Sequence, residues 1–356
     1  MGLTVLSVAF PFAPVGRDAV GGSEQVLTHL DEALARAGHR NIVIACEGST
    51  TAGTLFPVQR TRGILDAEAK QCAQERHRQA ILEALDRWPV DLIHMHAFDF
   101  HAYLPPAGVP LLATLHLPPE WYPAGTLEPS RPDTWLHCVS AASHAACPPS
   151  LSLLDPIENG VPVAELTAIR QTKRHFAVFL GRICREKGVT IAIEAAKLID
   201  IPLFVAGEVA RYTAHEDYFA EEVLPALDAR RRFIGPIGFL RKRRLLAAAR
   251  CLLVPSLAPE TSSLVAREAL ACGTPVIAFP NGALASTIEH GRTGFLVESI
   301  EEMAEAIAAV DQIDPDLCRS EARRRFSLEA MVARYLEVYE QLAGAGRTAR
   351  RLTAAE

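Results

Sequence analysis

A chain of 356 residues, 49% hydrophobic and 22% charged, is long enough for about two domains of roughly 150 residues, each with its own core. That apolar content excludes intrinsic disorder, and no window carries the roughly 18 uninterrupted apolar residues of a membrane-spanning helix. A net charge of −6 excludes the broadly basic surface that nucleic-acid backbones require, so the clusters Arg230 to Arg232, Arg241 to Arg244 and Arg323 to Arg325 read as solvated helix faces.

The apolar run Leu3 to Ala9 has no basic leader and meets Pro11 at once, which reads as a buried first strand and predicts a cytoplasmic protein without an export signal. Gly21-Gly22-Ser23-Glu24 then opens a helix in which Val26, Leu27, Leu30, Leu34 and Ala37 keep helical spacing up to Gly38. Further strand-length runs follow at Asn41 to Cys46, Asp91 to Met95, Pro110 to Leu115 and Leu136 to Val139. Continuous apolar runs between helices mark a parallel sheet covered on both faces, so the first half reads as Rossmann-like. The second half repeats the rhythm, with strands at Phe176 to Leu180, Leu203 to Ala206, Arg232 to Gly235, Leu252 to Pro255 and Pro275 to Phe279, and helices near 188–199, 215–229, 241–250 and 263–272. The turn-rich, charged stretch after Ile157 is the linker candidate. Leu328, Met331, Val332, Tyr335, Val338, Tyr339 and Leu342 predict a final amphipathic helix behind Ser327. The domain assignment is 1–165, 166–326, a helix over 327–343 returning toward the first domain, and a frayed tail over 344–356. Eight cysteines stand singly, with no CxxC pair or zinc spacing, and read as small buried hydrophobes in a reducing compartment.

Parallel sheets bind ligands at the carboxyl ends of their strands, and four segments there carry chemistry. The Gly21-Gly22 pair at a helix start lets backbone N–H groups approach an anion, although a tight turn explains it as well. No GxGxxG follows a predicted strand, which counts against an NAD-dependent enzyme. Gly181-Arg182 through Lys187-Gly188 places cations on a loop where a diphosphate could be held. In the stretch from Pro259 to Ile277, Thr261 to Ser263 are candidate N-caps, and Glu260 precedes a helix on which Glu268 lies about two turns further on. Two carboxylates at that separation suit two hydroxyl-bearing points of one elongated ligand, and Glu268 sits among apolar neighbours where a surface acid would not. His96 and His116 each end an apolar strand and are expected to point into the ligand cleft. With His94, His101, Asp99 and Glu120 they match no defensible metal spacing.

Taken together, GGSE at 21–24, AGH at 37–39, IENGV at 157–161, GRICREKG at 181–188, ETSSLVARE at 260–268 and HGRTGFLV at 290–297 resemble the family-4-type, group 1 glycosyltransferases. The Glu-x7-Glu motif of that family is matched by Glu260 and Glu268. The resemblance implies an α/β GT-B fold, with two Rossmann-like domains facing across a cleft, and a retaining transfer from a nucleoside-diphosphate sugar. By position it implies that Glu268 binds the ribose, Glu260 lies close to the transferred sugar, and Arg182 and Lys187 hold the diphosphate. Ser262, Ser263, Leu264 and Val265 would meet the donor through their backbone, Gly22 would bring its amide to the phosphate, and the base would lie near Gly235 and Ile237. His116 would sit at the reaction centre. Two departures stand out: Ser262-Ser263 replaces the common Phe-Gly, which leaves donor-sugar identity open, and Ala285-Ser286 replaces the usual Pro-Glu.

The chemistry implied is front-face transfer, in which the departing diphosphate is stabilised by Arg182, Lys187 and the helix end, with no enzyme nucleophile, no cofactor and no metal. A hexosyl group from a UDP-sugar, ahead of a GDP-sugar, is the expected cargo. Candidate acceptor contacts are Glu24, His96, Phe98 and Trp121, with the neighbours Phe100, Tyr103 and Tyr122 equally explained by packing. A sugar, a glycolipid precursor or a small molecule is the expected acceptor, and no basic amphipathic helix in the first half indicates peripheral membrane contact. The alternatives are a nucleotide-sugar epimerase of the same architecture and a sugar-nucleotide sensor or scaffold without turnover.

Overall fold

The computed structural model describes residues 2–353, with side chains through Gly344, and the chain divides into two compact units. The first comprises the chain up to Glu158 together with the segment from Ala330 onward, and the second comprises Asn159–Glu329. The division therefore falls at 158/159 and not at 165. Val161 explains the shift: its N–H donates to the Phe326 carbonyl and its own carbonyl accepts from Leu328, so the IENGV turn is stitched into the second unit.

The first unit holds one six-stranded sheet: β1 (Thr4–Val8), β2 (Arg40–Cys46), β3 (Thr54–Val58), β4 (Leu92–Met95), β5 (Leu111–Leu115) and β6 (Thr134–Cys138). The order is β3-β2-β1-β4-β5-β6, and every pairing is parallel. The edge strand β3 escapes sequence reading because it is short, half-exposed and contains Pro57, a residue that an edge tolerates. It is held by the buried Asp31 carboxylate, which accepts from the N–H groups of Ala52 and Gly53 and from the Asn41 amide.

The helix Ala67–Arg87 also goes unread. Its buried stripe is Ala73, His77, Ala80, Ile81 and Ala84, too small and polar a set to announce an apolar face. The last helix runs Leu328–Thr353, past the expected end at 343, because nothing in Gly344-Ala345-Gly346 forces a stop. Residues 354–356 of the expected tail lie outside the described residues. Within the first unit this helix buries Met331, Tyr335, Val338, Tyr339 and Leu342, the face that its periodicity predicts.

The second unit has the same plan: β7 (Ala177–Leu180), β8 (Leu203–Ala206), β9 (Arg231–Gly235), β10 (Cys251–Val254), β11 (Val276–Ala278) and β12 (Gly294–Leu296), in the order β12-β11-β10-β7-β8-β9, all parallel. Successive residues serve opposite cores. Val178, Leu252, Val254 and Val276 pack into one cluster, while Ala177, Phe179, Leu253 and Ile277 pack into the other. Burial on both faces is why these strands read as continuous apolar runs. In each sheet the chain winds outward from two central neighbours, β1/β4 and β7/β10, which is the switch point where such sheets bind ligands. Among the described residues no helix is long and apolar enough to cross a membrane.

Candidate active site

In the second unit the predicted residues gather at the carboxyl ends of β7 and β10. After β7 the chain turns through Gly181 and Arg182 into a 3-10 turn, Arg185–Lys187, and then the helix Val189–Leu198. Gly188 joins them with φ of 66°, and a Cβ there would sit 2.1 Å from the Pro255 carbonyl oxygen, so only glycine lets the two loops meet. That approach brings the Lys187 ammonium 2.5 Å from Glu260 Oε1, which also accepts from the Ser256 hydroxyl at 2.5 Å. Burial alone would raise the Glu260 carboxyl, but the Lys187 charge and these donors outweigh it and leave the group below its ordinary value. Glu260 is a fixed anion, and Lys187 keeps two of its three donors for a ligand. The Glu260 backbone is clamped by the Asn281–Ala283 turn: its N–H reaches the Asn281 carbonyl, and its carbonyl accepts from Ala283 at 2.7 Å. Arg182 is exposed beside this group, within electrostatic reach of Glu260.

The helix Leu264–Ala271 begins at Ser263, and here the capping expectation is corrected. Ser263 occupies the N-cap position with φ of 47°, but its hydroxyl makes no capping bond. The Ser262 and Ser263 hydroxyls are both buried without a hydrogen-bond partner among the described residues. A left-handed non-glycine residue costs on the order of 1–2 kcal/mol, and strain of that kind collects where ligands are held. The N–H groups of Leu264 and Val265, in the first turn, have no carbonyl of their own helix to reach.

Glu268 is buried in the same helix, and its Oε1 accepts from Lys242 Nζ at 2.5 Å while Oε2 is buried without a partner among the described residues. Lys242 is the functional neighbour that sequence reading missed, because it sits inside the Arg241 to Arg244 cluster assigned to a solvated face. Its side chain is only 8% exposed. Arg231, in another such cluster, is likewise buried and bonded to Asp200, Asp228 and the Ala196 carbonyl. The available signal was a cation flanked by Phe239 and Leu246 at helical spacing. Arg267, also unread, donates to the Asn159 carbonyl and lies over the Phe326 ring, which ties the helix to both ends of the second unit. Gly235, at φ of 71°, and the half-buried Ile237 sit at the carboxyl end of β9, two strands from β7.

In the first unit Gly22 is exposed at the start of the helix Gly22–Arg36, with Gly21 at the cap. Glu24 is buried beneath this turn, and a Cβ on Gly21 would meet its carboxylate at 1.9 Å. His116 follows β5 and stacks on His96, ring centroids 5.9 Å apart. Burial, with the His137 charge adding, pushes His116 down to about 3, so it is a neutral imidazole near pH 7. His96 does not open outward as expected. It is 1% exposed, its ring lies 3.8 Å from that of His94, and neither of its nitrogens has a hydrogen-bond partner among the described residues. Phe98 is half-buried against Phe10 and Trp121 is exposed, whereas Phe100, Tyr103 and Tyr122 are buried packing residues.

Behind His96 lies a buried relay whose direction one carbonyl fixes. His137 Nδ1 faces the Cys138 oxygen at 3.1 Å, and a carbonyl only accepts, so that nitrogen carries the hydrogen and Nε2 is bare. Thr114 therefore donates to His137 Nε2 and accepts from His94 Nε2, both at 2.7 Å, and Tyr339 donates to His94 Nδ1 at 2.5 Å. The final helix is thus hydrogen-bonded into the first unit's own core.

Comparison with known proteins agrees with this architecture. The sequence pattern described as "Glycosyltransferase Family 4" matches residues 20–162, and that of "Glycosyl transferases group 1" matches residues 174–311. A D-inositol 3-phosphate glycosyltransferase of Pseudarthrobacter chlorophenolicus is 31% identical over 41% of this chain and 38% of its own length. A phosphatidyl-myo-inositol mannosyltransferase of Mycobacterium leprae is 24% identical over 94% of this chain and 96% of its own. The match thus spans less than half of the first relative and nearly all of the second. The crystal structure of Anabaena HepE in complex with UDP-glucose shares the fold, with a TM-score of 0.70 at 20% identity, covering 95% of this chain and 100% of that one. With such a pattern matched on each half of a two-domain GT-B fold, the chain belongs to the group 1, Family 4 glycosyltransferases.

Proposed function

We propose that this glycosyltransferase moves a hexosyl group from a nucleoside-diphosphate sugar, UDP-linked ahead of GDP-linked, to a hydroxyl of a sugar, glycolipid-precursor or small-molecule acceptor in the cytoplasm, with retention of configuration. The observation that carries the reading is the cluster at the ends of β7 and β10. An ion-paired lysine with spare donors, an exposed arginine and a strained helix start with two hydroxyls that have no partner among the described residues together make an anion and hydroxyl receptor. Arg182, Lys187 and the amides of Leu264 and Val265 would take the diphosphate, with no metal required. The spare Glu268 oxygen would accept from the ribose hydroxyls. The end of β9 lies about 10 Å from β7 at the usual strand spacing, a suitable distance for the base to meet Gly235 and Ile237.

In the transfer, the bond from the sugar C1 to the diphosphate oxygen breaks as the acceptor oxygen bonds to C1 from the same face. The acceptor proton passes to the released phosphate oxygen. Negative charge on the diphosphate grows through this step, which Arg182 and Lys187 favour. Glu260 keeps Lys187 charged and aimed. Neutral His116 would hydrogen-bond a sugar hydroxyl at the reaction centre. The HepE complex with UDP-glucose supports the UDP preference, and the two relatives named for inositol acceptors support a polyol hydroxyl as the receiving group.

The test is a thermal-shift panel of UDP, GDP and ADP with their glucose, N-acetylglucosamine and mannose conjugates, with and without magnesium, since a bound donor raises apparent stability. A metal-independent shift with one nucleotide supports the reading, and no shift with any nucleotide refutes it. With the donor known, Lys187→Ala should lower turnover about 100-fold or more, with a smaller change in donor affinity. Glu268→Ala should chiefly weaken binding.

A further inference from the structure

Away from the donor cluster, two cysteines of the first unit meet. Cys138 is the buried last residue of β6, and Cys147 is half-exposed in the turn after the helix Ala141–Ala145, their Sγ atoms 3.4 Å apart. Both backbones are held. The Cys138 carbonyl accepts from Ile157 N–H and His137, and Cys147 N–H donates to the His144 carbonyl. Access is open on one side, because Cys147 itself is only half-buried and the two residues that follow it, Pro148 and Pro149, are exposed. The other six cysteines are distributed differently: Cys46, Cys184, Cys251, Cys272 and Cys318 are buried, and Cys72 is exposed. Among the described residues, no other pair of thiols is in contact.

We infer that Cys138 and Cys147 form a reactive dithiol that exchanges with small-molecule disulfides of the glutathione type and closes an intrachain disulfide. The division of labour follows from exposure: Cys147 is half-exposed and can meet a dissolved disulfide, whereas Cys138 is buried behind it, in contact with Cys147 alone among the thiols of the described residues, and burial favours its protonated form. Cys147 is therefore the attacking sulfur and Cys138 the resolving one. The Cys147 thiolate attacks one sulfur of glutathione disulfide, forming a mixed disulfide and releasing one glutathione thiolate. That thiolate takes the Cys138 proton, and the Cys138 sulfur attacks Cys147 and releases the second glutathione. Two thiols are oxidised to one disulfide, and one glutathione disulfide is reduced to two thiols. Closing from 3.4 Å to a bonded sulfur pair of about 2.0 Å takes a side-chain rotation and a small shift of the Ala146–Cys147 turn. The pair lies near Tyr122, whose hydroxyl accepts from Leu117 N–H, next to His116, at 3.3 Å.

The experiment is peptide mapping of the full chain after reduction, incubation with glutathione disulfide and alkylation of the remaining thiols. In the wild type, Cys138 and Cys147 should leave the alkylated pool together as one linked species, about tenfold faster than exposed Cys72 acquires glutathione. Cys138→Ser should trap glutathione on Cys147, Cys138→Ala should do the same, and Cys147→Ser should leave Cys138 reduced. Full alkylation of both cysteines in the wild type while Cys72 exchanges would overturn the inference. So would stable glutathione on wild-type Cys147 with no linked species. Neither of these readings depends on a variant folding, or on the assigned transferase reaction.

Discussion

Replacing Lys242 with Met keeps the length and most of the volume of the side chain and removes only the ammonium. Its partner Glu268 is 2% exposed and loses the single donor bonded to Oε1, while Oε2 already has none among the described residues. Stranding a buried carboxylate costs about 3–5 kcal/mol, a large share of the 5–15 kcal/mol that holds a typical domain together. Lys242→Met/Glu268→Gln removes the charge as well and should recover to within about 1–2 kcal/mol of the wild type. Donor affinity should not return with stability, because the carboxylate assigned to the ribose is gone. Urea unfolding followed by far-UV circular dichroism reports both units. All three tryptophans, Trp88, Trp121 and Trp135, lie in the first unit, so their fluorescence isolates that half. The loss should appear in the dichroism transition. Full wild-type stability in Lys242→Met, or a double variant less stable than both singles, would refute the ion-pair account.

Acidification should destabilise the first unit. His94, His96, His116 and His137 are all held below the ordinary histidine value, chiefly by burial, with His116 at about 3 and His137 at about 4. The unfolded chain takes up protons near pH 6.5 while the folded one does not, so stability falls as pH drops below about 6.5, by up to about 1.4 kcal/mol per group by pH 5.5. Tryptophan fluorescence in urea at pH 7.5 and 5.5 checks this, and equal midpoints would remove it. Tyr339→Phe takes the donor from His94 Nδ1 at the head of the relay and should cost about 1–3 kcal/mol in the same fluorescence transition, whereas an unchanged midpoint would mean that the relay contributes nothing. Ser263→Gly relieves the left-handed strain and should raise stability by about 1 kcal/mol, with weaker donor binding if the hydroxyl meets the donor. A lower melting temperature would contradict the strain assignment.

Some of this site was open to sequence reading because local chemistry specified it. Continuous apolar runs require sheets buried on both faces, and ten of the twelve strands announce themselves in this way. Glu260 and Glu268 are bound to one short loop and helix, so their relation survives any packing. The two unread strands, β3 and β12, are edge strands of five and three residues, where the pattern that burial imposes is weakest. What tertiary structure decided was partnership. Lys242 and Arg231 share their composition with solvated neighbours, and only the packing of their helix or strand against another element sets one cation of a cluster inside. The same holds for the first unit's histidines: strand ends lead to the expectation that His96 and His116 point into a cleft, but the His94 ring on one side and the His116 ring on the other bury His96. Sequence patterns report how often a position faces a core. Which charged or polar group waits there depends on residues far away in the chain, as the contacts of Lys187 with Glu260 and His94 with Tyr339 show.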